Sequence, residues 1–311
     1  MELIRGLHNL RERHRGCVLS IGNFDGFHLG HRALVERLRA QAARTGLPSV
    51  VQVFEPTPRE FFAPSAAPGR IATLRDKLRA LEQAGADRVL CTRFGRALSR
   101  MPAAQFVEDV LVRRLGVQAV IVGDDFRFGA GRSGDLSVLL QMGERHGFAA
   151  EGLGAVMAGG RRISSTAVRE ALGAADLETA ATLLGRPYVL TGRVRGGQRL
   201  GRKLGMPTAN VALHRRMALR YGVYVVRARI AGQDFGGVAS IGIRPSIAAS
   251  PQLLEVHVFG LDRDVYGAVL ETEFLHYLRP ERRFDSLEAL ARQMQADGEQ
   301  ARAWLAQRAS R

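Results

Sequence analysis

Gly22-Asn23-Phe24-Asp25-Gly26-Phe27-His28-Leu29-Gly30-His31 decides how this chain folds. The apolar run Cys17-Val18-Leu19-Ser20-Ile21 before it reads as a buried strand, and a helical pattern begins near His31 after it. A strand, a glycine-rich turn carrying two histidines and a helix start together make a phosphate-handling arrangement. Glycines let backbone N–H groups approach an anion, and the helix N-terminus adds partial positive charge. Two imidazoles three residues apart can neutralise charge on one phosphate chain, which points to chemistry on a nucleoside triphosphate.

The alternation that starts there continues outward. Ser49–Phe54, Arg88–Cys91 and Ala119–Gly123 read as further strands, with another near Phe148. Between them, Thr73–Ala84 carries Leu74, Leu78 and Leu81 at helical spacing, and Leu136–His146 is a second helical segment. Pro102 can open a helix at its first position and Gly116 can close it. Repeated strand–helix units predict an α/β, doubly wound parallel sheet of the Rossmann-like kind, with ligands at the carboxyl ends of its strands. Both Gly22–His31 and Gly123–Gly134 begin at such ends. Near Gly185-Arg186-Pro187 the pattern changes. Val189–Val194, Gly222–Ile230, Phe235–Ile243, Leu253–Phe259 and Val269–Tyr277 follow as strands without helices between them, as in a small antiparallel β-barrel. Ser286 suits the N-cap of a terminal helix reaching about Gln307. The expected division is 1–185, α/β, and 186–311, all-β with a terminal helix.

A chain of 311 residues with 46% hydrophobic content has room for two such domains. No window approaches the ~18 consecutive apolar residues of a membrane helix, so no membrane partner is expected. Met1-Glu2-Leu3-Ile4-Arg5 has no apolar core of signal-peptide length, which points to a cytoplasmic protein. Cys17 and Cys91 lie in strand-like runs and read as buried free thiols. The net charge of +15 has two readings. It is a composition bias, since Lys77 and Lys203 are the only lysines, or it marks a polyanionic partner. The basic residues form no long run and no aromatic-rich motif accompanies them, so no nucleic-acid partner is expected.

The string Gly-Asn-Phe-Asp-Gly-x-His-x-Gly-His over Gly22–His31 resembles the nucleotidyltransferase superfamily and, within it, the bacterial bifunctional riboflavin kinase/FAD synthetase family. Three more blocks are similar to that family: Val122–Gly129, Ile163-Ser164-Ser165-Thr166-Ala167-Val168-Arg169, and Gly205-Met206-Pro207-Thr208-Ala209-Asn210. Their order fits as well, and the resemblance covers nearly the whole chain. It implies riboflavin, FMN and ATP as substrates, with FAD as product and Mg²⁺ as the metal.

By that resemblance His28 and His31 are catalytic at the adenylyltransferase site, where Gly22, Asn23, Phe24, Asp25 and Gly30 also meet ATP. Ser164, Ser165 and Thr166 suit the outer phosphates at a helix start, with Arg169 one turn in. Simple helix capping is the other reading of those hydroxyls. Asp125 and Arg127 are an ordinary surface ion pair or, by resemblance, contacts to nucleotide or flavin. Pro56, Pro58 and Phe62 are the flavin-binding candidates; Phe61 and Phe62 read equally as stacking partners or as core.

In the second half, Gly196–Gly205 is a glycine-rich basic loop without the spacing of a Walker A motif. By resemblance Gly197, Gly201, Lys203, Gly205, Pro207, Thr208 and Asn210 bind the kinase ATP, with Thr208 and Asn210 at the metal. Glu255 alternates with apolar neighbours and so faces away from Leu254 and Val256. Alone it is an exposed strand glutamate; the resemblance makes it the base for the kinase step, with His257 on the same face as a flavin contact. Three residues depart from the family pattern: Met206 for an aromatic, Ser246 for threonine and Gly260 for aspartate. Three rivals stay open: a chain with only its adenylyltransferase half active, a nucleotidyltransferase with another acceptor, and a basic nucleic-acid-binding protein.

Overall fold

A computed structural model describes residues 1–196, 206–242 and 252–309. The chain packs as two units, one of Met1–Pro68 with Lys77–Ser164 and one of Gly69–Asp76 with Ser165–Arg311. The change of element type near 185 therefore falls inside the second unit.

In the first unit the strands β1 (Glu2–Arg5), β2 (Cys17–Ile21), β3 (Ser49–Phe54), β4 (Arg88–Thr92), β5 (Val117–Gly123) and β6 (Ala149–Leu153) pair in parallel in the order β1-β4-β3-β2-β5-β6. The helices are α1 (Leu29–Thr45), α2 (Pro58–Phe62), α3 (Leu74–Gln83), α4 (Arg96–Ser99), α5 (Ala103–Phe106) and α6 (Leu136–His146). α3 runs across the boundary between the two units. Alternation along the strands feeds two cores. Leu19, Val50, Leu90 and Val120 join the cluster that holds Val107, Val110 and Leu111. Val18, Val51, Val89 and Ile121 join the cluster that holds Leu34, Val35 and Leu38 of α1. A sheet buried on both faces explains why its strands read as continuous apolar runs. From β2 the chain builds toward β3 and β4, and from β5 toward β6. The crevice opens where those directions part, at the carboxyl ends of β2 and β5.

The segment expected as one helix after Pro102 is two. Pro102 is the N-cap of α5, one position earlier than expected, and Val107–Leu115 continues with wide π-type turns until Gly116 ends it in the left-handed conformation at φ 55°. Strand β1 and the short hairpin β7 (Met157–Ala158) and β8 (Arg161–Arg162) went unread. Neither cysteine is in a disulfide; Cys17 is buried, with its pKa pushed up to about 12 by burial, whereas Cys91 is only partly buried against the core, short of the expected full burial.

The second unit opens with α7 (Ser165–Gly173) and α8 (Leu177–Leu184). A closed barrel follows: β9 (Val189–Arg195), β10 (Ala209–Leu213), β11 (Gly222–Ile230), β12 (Gln233–Gly242), β13 (Gln252–Val258) and β14 (Val269–Arg279), in the order β10-β13-β12-β11-β14-β9. Strand β10 and helix α8 were not anticipated; β10 hides inside the Pro207–Asn210 motif. Leu254, Val256 and Val258 fill the barrel while Leu253, Glu255 and His257 face outward, as the period of two requires. The terminal helix α9 (Leu287–Ala309) lies along β12 and β11, tied by Arg279 to Asp297 through two hydrogen bonds of 2.8 and 2.7 Å. Residues 69–76 belong here through backbone: Arg70 N–H donates to Arg216 O and Ala218 N–H to Arg70 O, both at 2.7 Å. Arg169 Nε donates to Gly69 O at 2.8 Å and Tyr188 OH to Ile71 O at 2.9 Å.

Candidate active sites

β2 is buried throughout and delivers Gly22–His31 into the crevice. The turn is tight enough that Phe24 at φ 46°, Gly26 at 81° and Phe27 at 43° are all left-handed. For a phenylalanine this costs on the order of 1–3 kcal/mol. Burial of both rings offsets it; Phe24 is 0% exposed and Phe27 4%. The strained turn brings the two histidines face to face, with ring centroids 3.7 Å apart and planes 15° from parallel. Phe24 backs His31 at 4.9 Å. His28 is the N-cap of α1: its Nδ1 accepts from His31 N–H at 3.3 Å. Neutral His28 therefore carries its proton on Nε2, a donor at a helix N-terminus. Gly30 gives the ring room, since a Cβ there would stand 3.2 Å from His28 Cε1 and Nδ1. Asp25 is buried in the same turn.

The loop after β5 shares the crevice. Asp125 does not pair with Arg127: Arg162, on β8, reaches Asp125 at 3.1 Å and Asp124 at 3.3 Å. Arg127 instead donates to the Phe126 carbonyl at 2.9 Å. At the end of β3, Pro56 follows a cis peptide bond. Pro58 opens α2 behind a capping box between Thr57 and Glu60. Phe61 and Phe62 resolve as surface residues: Phe62 is 66% exposed and Phe61 partly so. With Phe54 and Phe94 they form an aromatic cluster whose centroids lie 5.3–5.8 Å apart. Phe94 and Arg162 were missed because neither sits in a motif. Ser164 ends the first unit, whereas Ser165, Thr166 and Arg169 open α7 in the second.

In the barrel, register makes the site. Asn210 on β10 lies opposite Glu255 on β13, and Glu255 lies opposite Ser240 on β12. Cross-strand partners share a face, so the three form one outward row. Asn210 is 7% exposed; its Nδ2 donates to Thr208 O at 3.3 Å, and its buried Oδ1 has no partner among the described residues. A cleft beside the row is bounded by Pro207, Thr208, Asn210, Val256, Arg263 and Tyr266. His257, next along the outer face, donates from Nδ1 to Pro207 O at 2.9 Å, which fixes its tautomer. Met206 puts its methyl group within reach of Gly298 on α9. Gly260 turns the chain after β13 at φ 69°, a conformation that aspartate also tolerates, so this departure keeps the turn. Gly197, Gly201, Lys203, Gly205 and Ser246 lie outside the described residues. Sequence reading missed Ser240, Arg263 and Tyr266; no local pattern marks them.

Known proteins match both halves. The family model described as FAD synthetase matches residues 10–167, and that described as riboflavin kinase matches residues 184–305. The Pseudomonas fluorescens protein named bifunctional riboflavin kinase/FMN adenylyltransferase is 50% identical over 100% of both chains. The protein of the same name from Escherichia coli (strain K12) is 46% identical over 96% of each. A crystal structure from Streptococcus pneumoniae, of a protein named for macrolide efflux, superposes with a TM-score of 0.79 at 26% identity, covering 98% of this chain and 100% of that one. No helix among the described residues is long and apolar enough to cross a membrane.

Proposed function

The chain belongs to the bifunctional riboflavin kinase/FMN adenylyltransferase family, and from that premise we propose which residues carry its two steps. Riboflavin is phosphorylated to FMN by ATP in 186–311, and FMN is adenylylated to FAD in 1–185. The observation that carries this reading is the presence of two unlike phosphate-type sites in one chain: the stacked His28/His31 pair at a helix start, and the Asn210–Glu255 row on the barrel.

In the kinase step the Glu255 carboxylate takes the proton of the riboflavin 5′-hydroxyl. That oxygen bonds to the γ-phosphorus of ATP while the bond to the β-phosphate oxygen breaks, leaving FMN and ADP. Thr208 and Asn210 hold the phosphate end, and Pro207 and His257 wall the approach. Gly197, Gly201, Lys203 and Gly205 complete the ATP loop in this proposal. Magnesium fits here: the buried Asn210 Oδ1 is a neutral oxygen of the type hard cations take, beside the Thr208 hydroxyl. Bound with ATP, Mg²⁺ would neutralise phosphate charge.

In the adenylyl step an FMN phosphate oxygen bonds to the α-phosphorus of ATP and pyrophosphate leaves. Little covalent work falls to the protein, so positioning and charge stabilisation dominate. His28 presents Nε2–H, and His31, stacked on it, lines the same phosphate chain. Gly22, Asn23, Phe24, Asp25 and Gly30 shape the turn around the nucleotide. Ser164, Ser165, Thr166 and Arg169 take the leaving phosphates, and Asp125 and Arg127 meet the nucleotide edge. Pro56, Pro58 and Phe62 face the flavin, with Phe94 added to that group by the aromatic cluster. A cytoplasmic enzyme on anionic small molecules, with no nucleic-acid partner, suits the dispersed positive charge.

The test is one incubation with ATP, Mg²⁺ and riboflavin, followed by separation of FMN from FAD. Glu255→Gln is expected to stop FMN formation yet convert supplied FMN to FAD. The His28→Ala, His31→Ala double variant is expected to do the reverse. A folded variant that loses both activities breaks the assignment.

A further inference from the structure

Arg162 is a cation at the mouth of the first unit's crevice, and neither step described above uses it. It ends the hairpin β7–β8, where Gly159 at φ 54° and Gly160 at 75° form a two-residue turn with both residues left-handed. That hairpin pairs with no other strand among the described residues, so its own pairing holds it only weakly. The next residue anchors it. Ile163 is buried, and a Cβ at Gly30 would stand 3.8 Å from Ile163 O and 3.2 Å from the His28 ring. The backbone that carries Arg162 therefore adjoins the histidine turn after β2. Its side chain crosses to the opposite lip, just past β5. There Nη2 donates to Asp125 Oδ2 at 3.1 Å and to Asp124 Oδ1 at 3.3 Å. Arg162 and Asp124 are about half-exposed and Asp125 more so, and ion pairs in that much water contribute little to stability. One nitrogen serves both carboxylates, which leaves most of a planar, five-donor fork suited to phosphate.

We propose that Arg162 is a further catalytic residue of the adenylyl step: it leaves Asp124 and Asp125 for the phosphate chain of ATP and donates to the oxygens of the departing pyrophosphate. This rests on the adenylyl site lying at His28 and His31. The step balances with no proton passed to or from Arg162. An FMN phosphate oxygen bonds to the α-phosphorus, the bond from that phosphorus to the bridging oxygen breaks, and its electron pair leaves with pyrophosphate. Charge grows on the leaving group, so a guanidinium that meets it there stabilises the transition state more than the ground state. Ser164, two residues on and in the same unit, is the neighbouring phosphate ligand. The carboxylates keep the cation at the mouth. The small worth of an exposed pair lets a polyphosphate, with several charges and many acceptor oxygens, displace them.

The test is steady-state kinetics of FAD formation on the full chain, from supplied FMN, ATP and Mg²⁺. Arg162→Ala is expected to lower kcat/KM for ATP about 10²-fold, most of it in kcat, and to weaken inhibition by added pyrophosphate about tenfold. Its melting temperature and its FMN formation from riboflavin stay parental. Asp124→Asn removes one competitor for the guanidinium. It is expected to leave kcat unchanged and to lower the KM for ATP by up to about fivefold. Parental kinetics in Arg162→Ala overturn the proposal, as does a loss that comes only with a lowered melting temperature. Asp124→Asn as damaging as Arg162→Ala overturns it too, because the ion pair itself would then be what matters. Recovery of Arg162→Ala by added Asp124→Asn would mean that Arg162 only neutralises the carboxylates, and the proposal falls. The His28→Ala, His31→Ala double variant separates the two readings. If it still makes FAD, the placement of the adenylyl site fails. If it is inactive while Arg162→Ala is parental, only the role of Arg162 fails.

Discussion

The two units build their sites by opposite means. In the first, a single turn of ten residues brings the two histidines face to face, and the sheet aims that turn at a crevice between β2 and β5. In the second, the groups stand on separate strands, and only the barrel's register sets Asn210, Glu255 and Ser240 side by side. The first site stores strain in Phe24 and Phe27 and is held by buried rings. The second rests on regular strands and places its polar side chains in a row. A loop site should thus depend on local packing, and a row site on the integrity of a whole sheet.

The largest effects should come from breaking the division of labour. Glu255→Gln should reduce FMN formation by about 10²–10⁴-fold, the usual worth of a general base, and the histidine double variant should do comparable damage to FAD formation alone. Next come the cores. Leu19→Ala in β2 and Leu254→Ala in β13 each remove a buried side chain and should cost about 2–5 kcal/mol. Hydrogen exchange read peptide by peptide should show the loss of protection concentrated in the unit that carries the substitution. Equal loosening of both units by both variants would erase the contrast drawn here. A smaller effect is expected for Tyr224→Phe. It removes one hydrogen bond, donated to Arg220 O at 2.6 Å, and should cost about 1 kcal/mol in denaturant unfolding.

The subtlest test is acid. For Glu2, burial works against ionisation, but the His14 hydrogen bond and the charges of Arg13, His14 and Arg88 outweigh it and hold the pKa below 4.5. Glu151 is held below 4.5 chiefly by its hydrogen bonds from Arg37, against desolvation. A lowered carboxylate contributes stability above its unfolded pKa and loses it as pH falls through the folded value. Asp76, in the second unit, is shifted the other way: burial raises its pKa above 3.8, against hydrogen bonds from Thr191 and Thr73. Its charged form is a cost that fades as pH drops through the raised value. Acidifying below 4.5 should therefore loosen β1 and β6 before it loosens β9, read by exchange corrected for intrinsic rate. Protection lost first at β9 would contradict these signs.

Much of this was legible in advance. The apolar runs of β2, β3, β4 and β5 read as strands because a sheet covered on both faces needs side chains of one kind throughout. The alternation in Leu253–His257 correctly put Glu255 on the outer face. What escaped was short or dual-purpose: β1 has only four residues, and β10 begins inside a motif whose residues had already been given another task. The Asp125–Arg127 spacing suggested a pair that does not form, since Arg162 arrives from β8 to take Asp125. Gly69–Asp76 sits amid strand–helix alternation, and nothing in its composition marks it as joining the second unit.

By itself the sequence determined the parallel sheet, the barrel and the two motifs, Gly22–His31 and Pro207–Asn210, because periodicity and contiguous spacing translate directly into local geometry. Tertiary structure alone decided that His28 caps α1 while stacked on His31, and that Asn210, Glu255 and Ser240 form one row. Those relations depend on strand register and on where a connection folds back. Register is set by how whole sheets pack, so no short window of residues contains it.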